Sequence, residues 1–126
     1  MGRLKFIHYK QPDEMDCGAT CLRMVAKYYG KTFSITDLRQ ATQTNREGIN
    51  LQGLADAAEK IGFRTLGVKV PFNKLIEDAP LPFIAHWNQN HFVVVYKITK
   101  STVYIADPAH GLIKYTKQEF IKSWVS

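Results

Sequence analysis

Cysteine is scarce in this chain: two among 126 residues, too few for a disulfide framework to hold the fold. No apolar run approaches the roughly 18 to 20 residues that a membrane span needs. The first residues, Met1-Gly-Arg-Leu-Lys-Phe-Ile-His8, lack the apolar stretch and small-residue cleavage site of a secretory signal. No internal repeat, low-complexity linker or block of consecutive basic residues occurs. These absences set aside a disulfide-rich secreted scaffold, a membrane-spanning segment and a repeat array. The expectation they leave is a chain facing the cytosol with reduced thiols.

Lys and Arg outnumber Asp and Glu by 17 to 11, a net charge of +6. The basic residues are scattered and accompany no nucleic-acid motif, so they read as a soluble basic surface and nucleic acid is not expected as a partner. An acidic peptide or an anionic membrane surface also suits that charge. Hydrophobic residues make up 45% and charged residues 22%, the balance of a folded protein. The length predicts a single domain, residues 1–126, with a core that needs no staple.

From Cys17 the pattern is helical: Cys21, Leu22, Val25, Tyr28 and Tyr29 recur at three- and four-residue spacing, and Gly30 stops the helix. Ser34 with Asp37 predicts a capping box and a short helix to about Ala41. Asn50 caps a third helix, with Leu51, Leu54, Ala58 and Ile61 on one face and Gly62 as its stop. The second half changes character. Phe63 to Val70 reads as a strand, and Pro71 starts a helical turn over Asn73 to Ile76. Strands follow at Pro82–Trp87, His91–Ile98, Thr102–Ala106 and Leu112–Tyr115, with turns at Asn88–Asn90 and Asp107–Gly111. Thr116 and Glu119 cap a last helix toward Trp124. Helices first and antiparallel strands afterwards predict an α+β domain.

Two regions carry chemistry. Cys17 sits where loop becomes helix, and a helix start offers unpaired N–H groups and partial positive charge, a setting that favours a thiolate. Asp16 could cap that helix, but its charge opposes ionisation of the neighbouring thiol. Gly18 leaves the approach to the Cys17 amide uncrowded, which suits an oxyanion, and Gln11 could swing a side-chain amide to the same place. Cys21, one turn further in, reads as a buried core residue. A Cys17–Cys21 disulfide is disfavoured because side chains four apart run parallel, and Cys-x3-Cys without paired ligands is poor ground for a metal site. Four histidines compete to serve the thiol. The hairpin of His91–Ile98 and Thr102–Ala106 places His91 opposite the stretch from about Asp107 to Ala109, so Asp107 can orient it. His110 competes for the role of base. His8 and His86 read as structural or surface residues, and Trp87 to Asn90 as a cleft wall.

Gln11-Pro-Asp-Glu-Met-Asp16-Cys17-Gly18-Ala-Thr-Cys21-Leu22, then His91-Phe-Val-Val-Val, then Asp107-Pro108 with Gly111, resembles peptidase family C39. These are peptidase domains at the N-terminus of bacterial ABC transporters that export bacteriocins and related peptides. The resemblance covers essentially the whole chain. It implies a papain-like cysteine-peptidase fold, N-terminal helices on a C-terminal antiparallel sheet. Cys17 would be the nucleophile, His91 the base, Asp107 the orienting acid, and Gln11 an oxyanion donor beside the Cys17 amide. The substrate implied is a precursor peptide cut after a leader ending in Gly-Gly. The partners are the membrane-spanning and ATPase domains of the transporter, at the cytoplasmic face of the bacterial inner membrane. ATP is expected only in a separate domain, with no cofactor or metal in this one. Such transporters continue into membrane helices where this chain stops, so it reads as an excised domain or a standalone relative. A leader-binding domain without catalysis and another papain-like thiol acyltransferase are the alternatives; the presence of Cys17 favours a peptidase.

Overall fold

The computed structural model describes residues 6–42, 49–67, 70–88 and 90–125. A single 3-10 turn, Glu14–Asp16, leads into α1 (Cys17–Tyr28). Cys17 through Leu22 are all buried, as are Met24, Val25 and Ala26. A helix that is apolar nearly all round belongs in the interior, and α1 packs against the central strand β2 and against α2. Gly30 stops it as expected, at φ 85°, a conformation open to glycine at little cost.

The caps of α2, α3 and α5 are those the sequence predicts. Before α2 (Ile35–Thr42), the Asp37 N–H donates to Ser34 Oγ at 3.0 Å and the Ser34 N–H to Asp37 Oδ2 at 3.1 Å. Before α3 (Leu51–Lys60), the Gly53 N–H donates to Asn50 Oδ1 at 2.8 Å. The turn after Pro71 is a full helix, α4 (Phe72–Asp78), and the Thr116–Glu119 box opens α5 (Lys117–Ser123). No helix among the described residues is long and apolar enough to cross a membrane.

The strand expected over Phe63–Val70 does not form. Phe63 to Gly67 and Val70 lie outside any strand, and residues 68 and 69 lie outside the described ones. The helices capture its start: the Phe63 N–H donates to Ala58 O at 3.0 Å, and its ring meets Tyr29 edge-on at 5.7 Å. Leu66 is 85% exposed.

Four strands, β1 (Phe83–Trp87), β2 (His91–Ile98), β3 (Thr102–Asp107) and β4 (Gly111–Thr116), form an antiparallel sheet in chain order. Both faces of its centre are covered. Phe92, Val94 and Ala106 join the core under α1, α2 and α3. Val93, Val95, Val103 and Ile105 pack on the other side with Phe120 of α5 and Leu75 of α4. Double coverage explains why β2 reads as a continuous apolar run without alternation. The expected α+β arrangement is the one observed.

Gly18 also has a packing reason, beside the access reason inferred from sequence. A Cβ there would lie 2.5 Å from Ile49 Cγ2 and 3.7 Å from both Leu54 and Phe92. Gly18→Ala is therefore expected to lose on the order of 1 kcal/mol in urea denaturation, overpacking outweighing the helix-propensity gain. Adding Ile49→Ala should recover part of that loss relative to Ile49→Ala alone; no recovery would separate the cost from this contact.

Candidate active site

Three elements bring three side chains together. The first residue of α1 is Cys17, the first of β2 is His91, and the last of β3 is Asp107. The His91 Nε2–H donates to Asp107 Oδ1 at 2.8 Å, and the Cys17 sulfur lies close enough to favour a charged ring as well. With Nε2 committed to the carboxylate, Nδ1 is the nitrogen left for the thiol. Burial works against a charged imidazole, but the bond to Asp107, the nearby Cys17 sulfur and the charges behind them prevail, and the His91 pKa rises to about 9. Burial likewise works against the Asp107 carboxylate. Bonds from His91 and the Ala109 N–H, with smaller help from His110, outweigh it and hold the pKa at about 2. Cys21 is free and fully buried, and burial pushes its thiol well above the ordinary range, so it stays a neutral core residue.

The register that joins His91 to Asp107 depends on one irregularity. At the closed end of the β2–β3 hairpin, Ile98 pairs with Val103 and Lys97 with Tyr104. Beyond a bulge between Val95 and Lys97, Val95 pairs with Ile105 and Val94 with Ala106. Continued without the bulge, the first register would set Asp107 opposite Val94 and turn it to the face away from His91. The extra residue shifts the partners by one, and a shift of one exchanges the faces of a strand. Asp107 then falls on the diagonal from His91, on the same face.

Asp107 is held from several sides. Its Oδ1 also accepts the Ala109 N–H at 2.8 Å, and its Oδ2 accepts the His110 Nδ1–H at 3.3 Å. His110, whose side chain is 71% exposed, thus serves the acid, and the ring that meets Cys17 is that of His91. The His8 Nε2–H donates to the Asp107 carbonyl at 2.7 Å; no sequence signal tied this histidine to the site. His86 stacks on Phe92 at 5.1 Å. Trp87 and Asn88 line a cavity beside the site, as the cleft-wall reading expected, and Gln89 lies outside the described residues. The Gln11 Nε2 donates to the Asp13 carbonyl at 2.9 Å and to the Glu14 carbonyl at 3.5 Å, the second being the longer and weaker bond.

Asp16 does not cap α1. It is fully buried, and its carboxylate accepts Arg39 Nε at 3.0 Å, Arg39 Nη2 at 2.5 Å and the Asp13 N–H at 3.2 Å. The fork of Arg39, reaching over from α2, sets a positive charge against the negative one directly before Cys17. Nothing in the sequence singles out Arg39, because the pairing is set by how α2 packs on α1.

Two outcomes are expected. The raised His91 pKa lends stability that is complete below about 6.5 and gone above about 9, and the lowered Asp107 pKa lends stability that is complete above about 3.8 and gone below about 2. The stability gap between the native chain and Asp107→Asn, measured in urea, should be widest between about pH 4 and 6.5 and shrink toward pH 9; a gap growing across that range would contradict the pairing. Arg39→Ala should lower the urea midpoint by stranding a buried carboxylate, and Asp16→Asn added to it should raise the midpoint again.

The model of the Peptidase C39 family matches residues 5–126. The lactococcin-G-processing and transport ATP-binding protein LagD of Lactococcus lactis subsp. lactis is 40% identical over 126 residues, which cover 96% of this chain and 18% of that protein. The transport/processing ATP-binding protein ComA of Streptococcus pneumoniae is 36% identical over 125 residues, covering 93% of this chain and 17% of that one. The chain thus spans less than a fifth of the length of these relatives. A double glycine motif protease from an AMS/PCAT transporter, crystallised in complex with the leader peptide, superposes with a TM-score of 0.92 at 35% identity over 98% of this chain and 89% of that one. The peptidase domain of Streptococcus ComA gives 0.89 at 32% identity, over 96% and 93%. The papain-like fold that the sequence motifs implied is the fold of these structures, and with a family match running from residue 5 to residue 126 the chain belongs to the C39 cysteine peptidases.

Proposed function

We propose that this domain removes the leader from a precursor peptide by cutting after a Gly-Gly pair, as the peptidase part of a peptide-exporting ABC transporter at the cytoplasmic face of the membrane. The observation that carries the reading is the arrangement of Cys17, His91 and Asp107, with His91 bonded to Asp107 and its charge favoured by the nearby Cys17 sulfur.

In this mechanism Cys17 and His91 share one proton: with it on His91 Nδ1 the sulfur is a thiolate, and Asp107 holds the imidazolium in place. The sulfur bonds to the carbonyl carbon of the last leader residue. The Cys17 backbone N–H at the start of α1 and a Gln11 Nε2–H, released from the Glu14 carbonyl that it meets at 3.5 Å, receive the oxyanion. The C–N bond then breaks, His91 gives its proton to the departing amine, and a thioester remains on Cys17. Water, activated by His91, attacks that carbonyl and releases the leader carboxylate, and the thiol and imidazole return to their starting state. The peptide, one water and these groups supply every atom, so cleavage itself calls for no cofactor. A Gly-Gly preference follows if the approach to Cys17 is too narrow for a side chain, which is selection by exclusion.

The test is mass spectrometry of a synthetic leader–core peptide incubated with the domain, with Cys17→Ala as control. A single cut after Gly-Gly, absent with Cys17→Ala, is expected. Saturable binding by both proteins without cleavage would point to a leader-binding module instead. The alkaline limb of kcat/KM should lie near pH 9, where His91 loses the proton it must give, and should move toward 6.5 in Asp107→Asn.

A further inference from the structure

Beside His91 lies a cavity of about 410 Å3. His91 and Asp107 line it together with Trp87, Tyr115, Glu14, His110 and Gln11, whose amide serves the carbonyl at the cut itself, and Cys17 does not. The cavity therefore opens on the histidine's side of the site and not on the sulfur's. Cleavage divides a peptide along the same line. The acyl half stays bonded to Cys17, and the amine half departs from His91 with its proton. A cavity that meets the proton donor but not the nucleophile is placed to hold the half that leaves.

Its walls also carry a chemical preference. The half-buried Tyr115 ring offers apolar and π surface, and the buried Trp87 ring packs beside it at 5.5 Å, centre to centre. The charges of Asp107 and His91 oppose one another at 2.8 Å. Glu14 is exposed and forms no ion pair among the described residues, so its negative charge stands uncompensated in the lining. A long side chain with an aliphatic stem and a cationic head suits both features, its stem along the Tyr115 ring and its head toward the carboxylate.

We propose that this cavity is the subsite for the first residue after the cut, and that Glu14 makes it prefer Lys or Arg over an acidic residue. The proposal rests on the reading of the domain as a leader peptidase.

The experiment compares three Gly-Gly leader–core peptides that differ only in the residue after the cut, Lys, Gln or Glu, by kcat/KM at pH 8. The Lys peptide should exceed the Glu peptide by about three- to tenfold, with Gln between, as one partly exposed ion pair and a ring contact allow. Glu14→Gln should flatten the series and Glu14→Lys should invert it. Asp78→Asn, which removes an exposed carboxylate on α4, should leave the order in place. Equal rates for the three peptides, an order that survives Glu14→Lys, or an equal loss of preference in Asp78→Asn would overturn the subsite while leaving the peptidase reading intact. Failure to cleave any of the three would overturn that reading and the subsite with it.

Discussion

The hydrogen bond from His91 Nε2 to Asp107 Oδ1 is the contact on which the rest of the site depends. It decides which ring nitrogen faces Cys17, it sets the plane of the imidazole, and it keeps the ring charged against the burial that would neutralise it. The scaffold serves that one bond. A sheet covered on both faces cannot slide without exposing valines on one side or the other, so the strand ends that carry the two groups stay in register. Within that rigid pairing the bulge between Val95 and Lys97 turns Asp107 to the correct face. The bulge lies several residues from the chemistry, at the far end of the strand, and acts through parity alone.

A second constraint comes from placing a carboxylate directly before a nucleophile. Asp16 is fully buried, where an unpaired charge is costly. Arg39 meets it with two nitrogens from a different helix. The pair ties α2 to the residue directly before α1, so the position of the sulfur depends on helix packing as well as on its own loop. The same carboxylate accepts the Asp13 N–H, which fixes the turn that precedes it.

Local signals were legible because local physics decides them. Asn50, Ser34 with Asp37, and Thr116 with Glu119 each satisfy N–H groups within three residues, and the structure uses all of them. The meeting of His91 and Asp107 was legible too, since a hairpin constrains which residues can meet. What was hidden depends on contacts distant in sequence. Phe63 leaves the strand pattern because α3 and Tyr29 hold it. The partner of Asp16 lies 23 residues away on another helix. Gly18 has its packing reason in Ile49. The allegiance of His110 turned on the two oxygens of one carboxylate, which no spacing rule distinguishes.

The segment before α1 is fastened to the turn that holds the acid. His8 donates to the Asp107 carbonyl and the Gln11 N–H to the Pro108 carbonyl, each at 2.7 Å. From Gln11 the chain runs within six residues to Cys17. Together these links close a mechanical ring: acid to lead-in by hydrogen bonds, lead-in to nucleophile by covalent chain, nucleophile to histidine, and histidine back to acid. Tension on the lead-in is thereby shared between the acid and the nucleophile instead of falling on either alone, and the geometry between them is braced on a side that the sheet does not reach.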